Sequence, residues 1–454
     1  MDNHTRLGEQ DIPSLTRTLA LPAITGMLVN AVYNVVDTFF VGKLNDTYAL
    51  GAVSVAFPTI MIITAIALTF GIGMGALVSR LLGEKNYEKA DVIFSTTIIT
   101  MFLVGIFIVI FGLTNLDFIS AVFGIKGTLK EYFKDFIQYI FIAAPFTTLN
   151  MSFNNSIRAE GNAKYSMHAL NLGAVLNVIL DPIFIFTFNM GVSGAAIATG
   201  ISQGVSTLFL IRYYTTGKSV VKFSLKKFHP HVRTYKEIFK IGFPSLVRQT
   251  LVSTAVALVN AAATPFGAHA IAAIGVVMKV NSISTFVLFG LGQAFQPIVA
   301  FNYGAEKLDR VKESISYTLK LATIFSIVAS IIIFIFAHPI IRIFTPNEDI
   351  IDAGVICMRI LCVTFPLNGF QIIITTLFQS LGKGKQSFLC AGARQGIFFI
   401  PTILVLPKII GFFGVMGSQA VGDTLGFVLV FILYKRFKSH ISDIIKEKHS
   451  SDEF

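Results

Sequence analysis

The sequence predicts an all-α polytopic membrane protein, with twelve transmembrane helices in two pseudo-symmetric six-helix lobes. Three observations carry that prediction. Of 454 residues, 54% are hydrophobic and only 13% charged, against roughly 25% charged in soluble domains. Asp46 and Arg80 are separated by 33 residues without Asp, Glu, Lys or Arg, and Asp181 and Arg212 by 30; ~20 apolar residues suffice to cross a bilayer. The chain also resembles itself at an offset of about 221 residues. Together with 44 Phe and no Trp, these features exclude a soluble enzyme, a disordered chain and a disulfide scaffold.

Charge marks the ends of the spans, expected at about 16–41, 48–80, 91–113, 132–156, 165–188, 192–214, 238–263, 269–303, 315–337, 352–379, 388–408 and 413–435. Spans two and eight exceed one crossing and should tilt or project beyond the lipid. With the N-terminus cytoplasmic, the inside segments carry 26 Lys and Arg and the outside segments six. That bias is the positive-inside signature. The formal charge of +11 therefore reflects topology, not nucleic-acid binding. The expected location is the cell (inner or plasma) membrane, multi-pass, with both termini cytoplasmic. The opening residues MDNHTRLGEQDIPS lack a signal-peptide pattern, so the first span is expected to target the chain. Cys357, Cys362 and Cys390 lie in apolar stretches without paired spacing and read as buried, inert thiols.

The repeat fixes the organisation. Gly83-Glu-Lys-Asn-Tyr-Glu-Lys-Ala90 aligns with Gly304-Ala-Glu-Lys-Leu-Asp-Arg-Val311, each after a long span with a G-x-G pair (Gly71/Gly73, Gly290/Gly292). Pro22 falls opposite Pro244, Arg158–Lys164 opposite Gln379–Lys385, and Gly191-x-x-Gly194 opposite Gly414-x-x-Gly417. Six spans per repeat keep both halves in one orientation, so the pseudo-symmetry axis runs along the membrane normal. The expected division is an N-terminal lobe at 1–214, a linker at 215–236, a C-terminal lobe at 237–435 and a cytoplasmic tail at 436–454. The polar, basic linker reads as a solvated connector, with a lipid-touching role as the alternative. The G-x-G pairs lie inside spans, where close helix packing or local unwinding explains them better than nucleotide binding.

The motifs resemble the MATE family of multidrug and toxin extrusion transporters, in particular its prokaryotic DinF/MepA-like branch. The wider superfamily also holds lipid and polysaccharide flippases. The resemblance covers about residues 14–435. It rests on P-A-I-x-G-M-L-V-N-A-V-Y-N-V-V-D-T-F-F-V-G (22–42), G-x-x-x-x-E-K-A (83–90), N-x-x-L-D-P (177–182) and G-V-S-G-A-A-I-A-T (191–199).

Ionisable residues inside a membrane are candidates for function, because unpaired charge there is costly. The deep ones in the first half are Asp37 and Asp181. From helix rise, Asp37 sits ~9 Å and Asp181 and Thr199 ~12 Å from the outer face. Asn177 is one turn from Asp181, and Asn30, Asn34 and Asp37 share a face of span one. Oxygen ligands without His or Cys suit a hard cation or a proton. Two carboxylates brought together in low dielectric cannot both stay ionised cheaply. Pro182 removes a backbone donor and frees the Val178 carbonyl, as a ligand or a point of bending. The family resemblance implies a cation or proton site at Asp37, Asn177, Asp181 and Thr199, and we add Asn34; any metal would be Na+ at those first four positions. The competing reading is an acid cluster that only locks helices together.

The second half offers Val259 and Thr402 opposite the two acids, so the site is not duplicated. Lys279 and Asp423 lie at similar depth and are expected as a possible ion pair. Arg248 and Arg394 are expected to snorkel or pair nearer the cytoplasm. Met61, Met151, Phe153, Asn154, Met278 and Gln293 are candidate substrate-cavity residues, because such side chains adapt to several shapes. The expected function is secondary active multidrug efflux: export of amphipathic, often cationic, organic compounds in exchange for H+ or Na+. A flippase for a lipid-linked sugar or another amphipathic lipid is the alternative. The chain is not expected to be an enzyme or to hold a cofactor. Its expected partners are drugs, the coupling ion and membrane lipids, and it is expected to be a monomer.

Overall fold

The computed structural model describes residues 3–44 and 46–452, without the side chains of residues 3, 34 and 440–452. Twelve helices among the described residues are long and apolar enough to cross a membrane. They are α1 (Ile12–Gly42), α2 (Thr47–Gly83), α3 (Tyr87–Thr114), α4 (Thr128–Ala159), α5 (Ala163–Thr187) and α6 (Gly191–Thr215) in the first half. The second half holds α7 (Val232–Ala263), α8 (Ala268–Gly304), α9 (Leu308–Ile335), α10 (Glu348–Ser380), α11 (Gly384–Ile410) and α12 (Phe412–Asp452). All twelve expected spans are present, and the chain is a multi-pass membrane protein. α2 and α8, at 37 residues each, are ~55 Å long, well beyond a ~30 Å hydrocarbon core.

Side-chain caps start several helices. Asp11 accepts from Ser14 N at 3.2 Å and Asp46 from Tyr48 N at 2.8 Å. Asn86, Asn162 and Asn347 likewise accept from the backbone three residues on, satisfying donors that the first turn leaves unpaired. The repeat is visible in the backbone itself. Lys85 and Glu306, 221 residues apart, both take positive φ, at 57° and 56°. Positive-φ glycines mark the starts of α6 and α12, Gly191 as the first residue of the one and Gly411 just before the other. Gly194 and Gly414 then each abut the backbone of the preceding hairpin arm. Gly191 thus corresponds to Gly411, three residues before the Gly414 that the sequence pattern selects.

Within each half, the central helices α4 and α10 are packed on by their neighbours. The halves meet through α1 and α2 against α8, and α2 against α7. That contact gathers at the end of the bundle where the basic loops lie. A Cβ on Gly83 would strike the Phe301 carbonyl, and one on Gly304 the Arg80 carbonyl. Gly73 meets Ile238, Gly242 meets Thr69 and Gly290 meets Ile24 backbone to backbone. The G-x-G glycines are therefore sites of close helix approach, as expected. From Leu288 to Asn302 no residue of α8 is exposed, whereas Ile271, Gly275, Lys279 and Ser282 nearer its other end are. On α1, Leu15, Leu19, Ala20 and Ala23 are buried, while Val32, Val35 and Phe39 are exposed. The molecule is shut at the basic end and open at the opposite one.

The linker corrects an expectation. It lies docked against the first half instead of free in solvent. Buried Glu160 accepts from Ser219 Oγ at 2.6 Å, Val220 N at 3.1 Å and Tyr213 Oη at 3.0 Å. Asp91 accepts from Lys222 N and Lys227 Nζ, both at 2.7 Å. Ser95 and Thr96 hold Ser224 N and His229 N, each at 3.1 Å. Carboxylates and hydroxyls on the ends of α3 and α4 supply acceptors that local composition cannot reveal.

Candidate cation site and the lobe that lacks it

Asp37, Asn177, Asp181 and Thr199 come together between α1, α5 and α6. Asp181 is wholly buried, and the Asp37 carboxyl lies within hydrogen-bonding reach of it. Asn177 donates to Asp181 Oδ2 at 3.0 Å, and its amide oxygen accepts from Thr199 Oγ1 at 3.3 Å and Thr199 N at 3.2 Å. Two carboxyl groups this close are held together by a shared proton or a cation. Asp37 Oδ1 is a buried acceptor with no partner among the described residues. That orphaned oxygen, with three further oxygen-bearing side chains around it, fits a proton or a hard cation. The side chain of Asn34 lies outside the described residues.

Tyr33 is the member that sequence reasoning missed. Its hydroxyl reaches Thr199, and it lines a polar cavity of about 30 Å³ with Asn30, Asn150, Asn177, Thr199 and Ser202. The signal was available, since Tyr33 stands one turn before Asp37 on the same face of α1. Just beyond Asp181, Pro182 is followed by a π-helical turn at Ile183–Thr187. Proline and a π turn both interrupt the regular backbone ladder, so α5 deviates right beside its carboxylate.

The second half is built differently. Asp423 does not pair with Lys279. It accepts from Arg394 Nε at 2.5 Å, Gln419 Nε2 at 3.0 Å and Thr364 Oγ1 at 3.3 Å. Arg394 enters α11 from the basic end and Asp423 enters α12 from the other, each by roughly ten residues, or ~15 Å. They therefore meet near mid-membrane, where burial favours a fully hydrogen-bonded pair. A π-helical stretch at Ala393–Phe398 carries Arg394. Lys279 has the matching depth but is exposed on α8. Arg248 lies over the Phe289 ring at 4.8 Å.

The substrate candidates divide. Met61 accepts from Gln249 Nε2 at 3.0 Å, and Gln293 Nε2 points to Met27 Sδ at 3.4 Å. Both contacts lie where the halves meet, at the floor of the gap between them. Phe153 and Asn154 are corrected: Phe153 packs between Phe94 and Tyr214, and Asn154 bonds Asn150 and Ser166 inside the first half. Met278 packs against the core of the second half. Met151 is partly buried, its carbonyl accepting from Asn155 at 2.7 Å.

Comparison with known proteins agrees with this architecture. A multidrug export protein, MepA, from Staphylococcus aureus strain MSSA476 is 28% identical over 431 residues, covering 94% of this chain and 95% of that one. MepA from Staphylococcus haemolyticus is 29% identical over 417 residues, covering 91% and 92%. A crystal structure of MATE in complex with MaL6 superposes with a TM-score of 0.92 at 26% identity, covering 96% and 99%. An outward-facing multidrug resistance MATE transporter of the MOP superfamily gives 0.91 at 26% identity, covering 96% and 98%. The MatE family model matches twice, at residues 22–183 and 244–405, once in each half. The two halves are thus copies of one family unit, and the chain belongs to the MatE family.

Proposed function

We propose that this protein is a secondary active multidrug exporter that moves amphipathic organic compounds, cations among them, outward in exchange for H+ or Na+. The observation that carries the reading is the approach of Asp37 and Asp181 beside an orphaned acceptor, in a half-molecule that can change its packing. The basic, closed end is taken as cytoplasmic by the positive-inside rule, which places both termini inside the cell. α1 touches α8 at Met27 and Gln293; its outer half, which carries Asp37, has Val32, Val35 and Phe39 exposed. Protonation or cation binding between Asp37 and Asp181 draws α1 and α5 together, with Pro182 and the π turn giving α5 room to adjust. The two lobes then rock against each other around the gap, exposing it to each side in turn.

The test is ethidium export from proteoliposomes, with H+ and Na+ gradients imposed separately. Export driven by one gradient and absent without it supports the reading and names the ion. Movement of lipid-linked sugar without any gradient dependence would favour the flippase alternative and overturn it.

A further inference from the structure

We propose that the gap between the lobes is a binding site for carboxylate-bearing amphipathic molecules, with Arg248 at its floor and Lys279 nearer its mouth. The inference rests on the exporter reading and extends its substrate class to anions.

The gap is bounded by α1, α2, α7 and α8, and these four helices together contain two acidic residues, Asp37 and Glu237. Asp37 turns into the first lobe against Asp181. Glu237 sits at the basic end, 3.6 Å from Lys89 and 3.5 Å from Arg233. No carboxylate is left to face the gap.

Two cations are. Arg248 is partly buried, one residue from the Gln249–Met61 contact that forms the floor. Among the described residues no carboxylate or hydrogen-bond acceptor reaches its guanidinium, which has only the Phe289 ring. Cation–π contact offsets part of the desolvation cost but supplies no counter-charge. Lys279 shares one face of α8 with Gly275, Ser282, Phe289 and Gln293, by steps of three, four and seven. Lower on that face, Gln293 touches α1; at Lys279 the face is exposed. Lys279 forms no ion pair among the described residues. Along α8 it stands ten residues from Phe289, ~15 Å nearer the mouth.

The gap is thus lined by apolar and amide side chains with two uncompensated positive charges in line. An amphiphile with a carboxylate head fits both features, its ring system over Phe289 and its charge toward Arg248 or Lys279.

The test uses two dyes of one ring system and opposite charge, fluorescein and rhodamine 123. Binding is read by fluorescence polarisation on the full chain in an uncharged maltoside detergent. Wild type should bind fluorescein more tightly than rhodamine 123. Arg248→Gln and Lys279→Gln should each weaken fluorescein about fivefold, while rhodamine 123 gains affinity. Arg248→Lys should recover part of the loss. Equal binding of both dyes with no response to either Gln variant overturns the proposal. Should Arg248→Gln fail to fold, the exposed Lys279 carries the test: unchanged fluorescein binding in Lys279→Gln then overturns it. Displacement of fluorescein from wild type by phosphatidylglycerol added to the micelles would make the occupant a lipid and refute the small-molecule assignment. If binding follows the charges but neither dye is exported by proteoliposomes under either gradient, the exporter reading falls and the anion site stands.

Discussion

The two lobes share a fold and differ in how they treat buried charge. In the first, Asp37 and Asp181 are brought together with an acceptor left over, and a small polar cavity adjoins them. In the second, Asp423 takes three donors, one of them the Arg394 guanidinium. Like charges forced together respond to a proton or cation, because either relieves the repulsion. A hydrogen-bonded ion pair is already neutral and gains little from either. Under the exporter proposal, the first repeat is the switch and the second a fixed wall. Both carry a π turn on the fifth helix, so helix irregularity alone does not make the site; its charge content does.

The largest expected effect tests that contrast directly. Asp37→Asn or Asp181→Asn should reduce gradient-driven ethidium export to the rate of protein-free liposomes, while the melting temperature holds or rises, since a like-charge contact is removed. Retained export in both variants at normal expression would refute the switch.

Breaking the fixed pair should do the reverse, costing stability first. Asp423→Leu strands Arg394 in the membrane, at a typical cost of about 3–5 kcal/mol. Arg394→Met with Asp423→Leu should recover much of it. Melting temperatures of the four proteins in detergent decide the matter: a double variant whose loss equals the sum of the singles would show that the pair is not the interacting unit.

A smaller effect separates the ions. Thr199→Val should slow export several-fold under a Na+ gradient, because a hydroxyl ligand is lost, and less under an H+ gradient. Equal slowing under both would mean that Thr199 only holds Asn177.

The smallest is a pH dependence of the docked linker. Burial pushes the Glu160 carboxyl up from 4.5 to about 7, against the opposing hydrogen bonds from Ser219, Val220 and Tyr213. A group whose folded value is raised contributes stability that is complete below pH 4.5 and lost as pH rises to about 7. Melting temperature should therefore fall across that window and level off above it. Glu160→Gln should flatten the profile; an unchanged slope would assign the dependence elsewhere.

Much of this was legible in one dimension. The uncharged runs gave all twelve spans, and the offset of about 221 residues gave the two matching halves. Helix rise put Asp37, Asp181 and Thr199 at one depth, and they do converge. Tyr33 stands four residues before Asp37 on the face that Asn30 and Asn34 also share, and spacing alone does not distinguish the three. Lys279 and Asp423 also share a depth, yet they lie on faces that never meet. Phe153 and Asn154 looked like cavity residues by type, and the packing of α4 turns them inward.

One dimension was enough to give the number of helices that cross, which ends are basic, how deep each charge lies and that the Asp37 and Asp181 pair belongs to one repeat alone. Those properties follow from hydrophobic length and a fixed rise per residue. The tertiary structure decided which side chains at equal depth are neighbours: Arg394 and not Lys279 for Asp423, Glu160 for the linker, the open gap for Lys279. Depth is set along one helix, whereas partnership is set by how each helix is rotated and tilted against the others, and that is fixed only when all twelve pack.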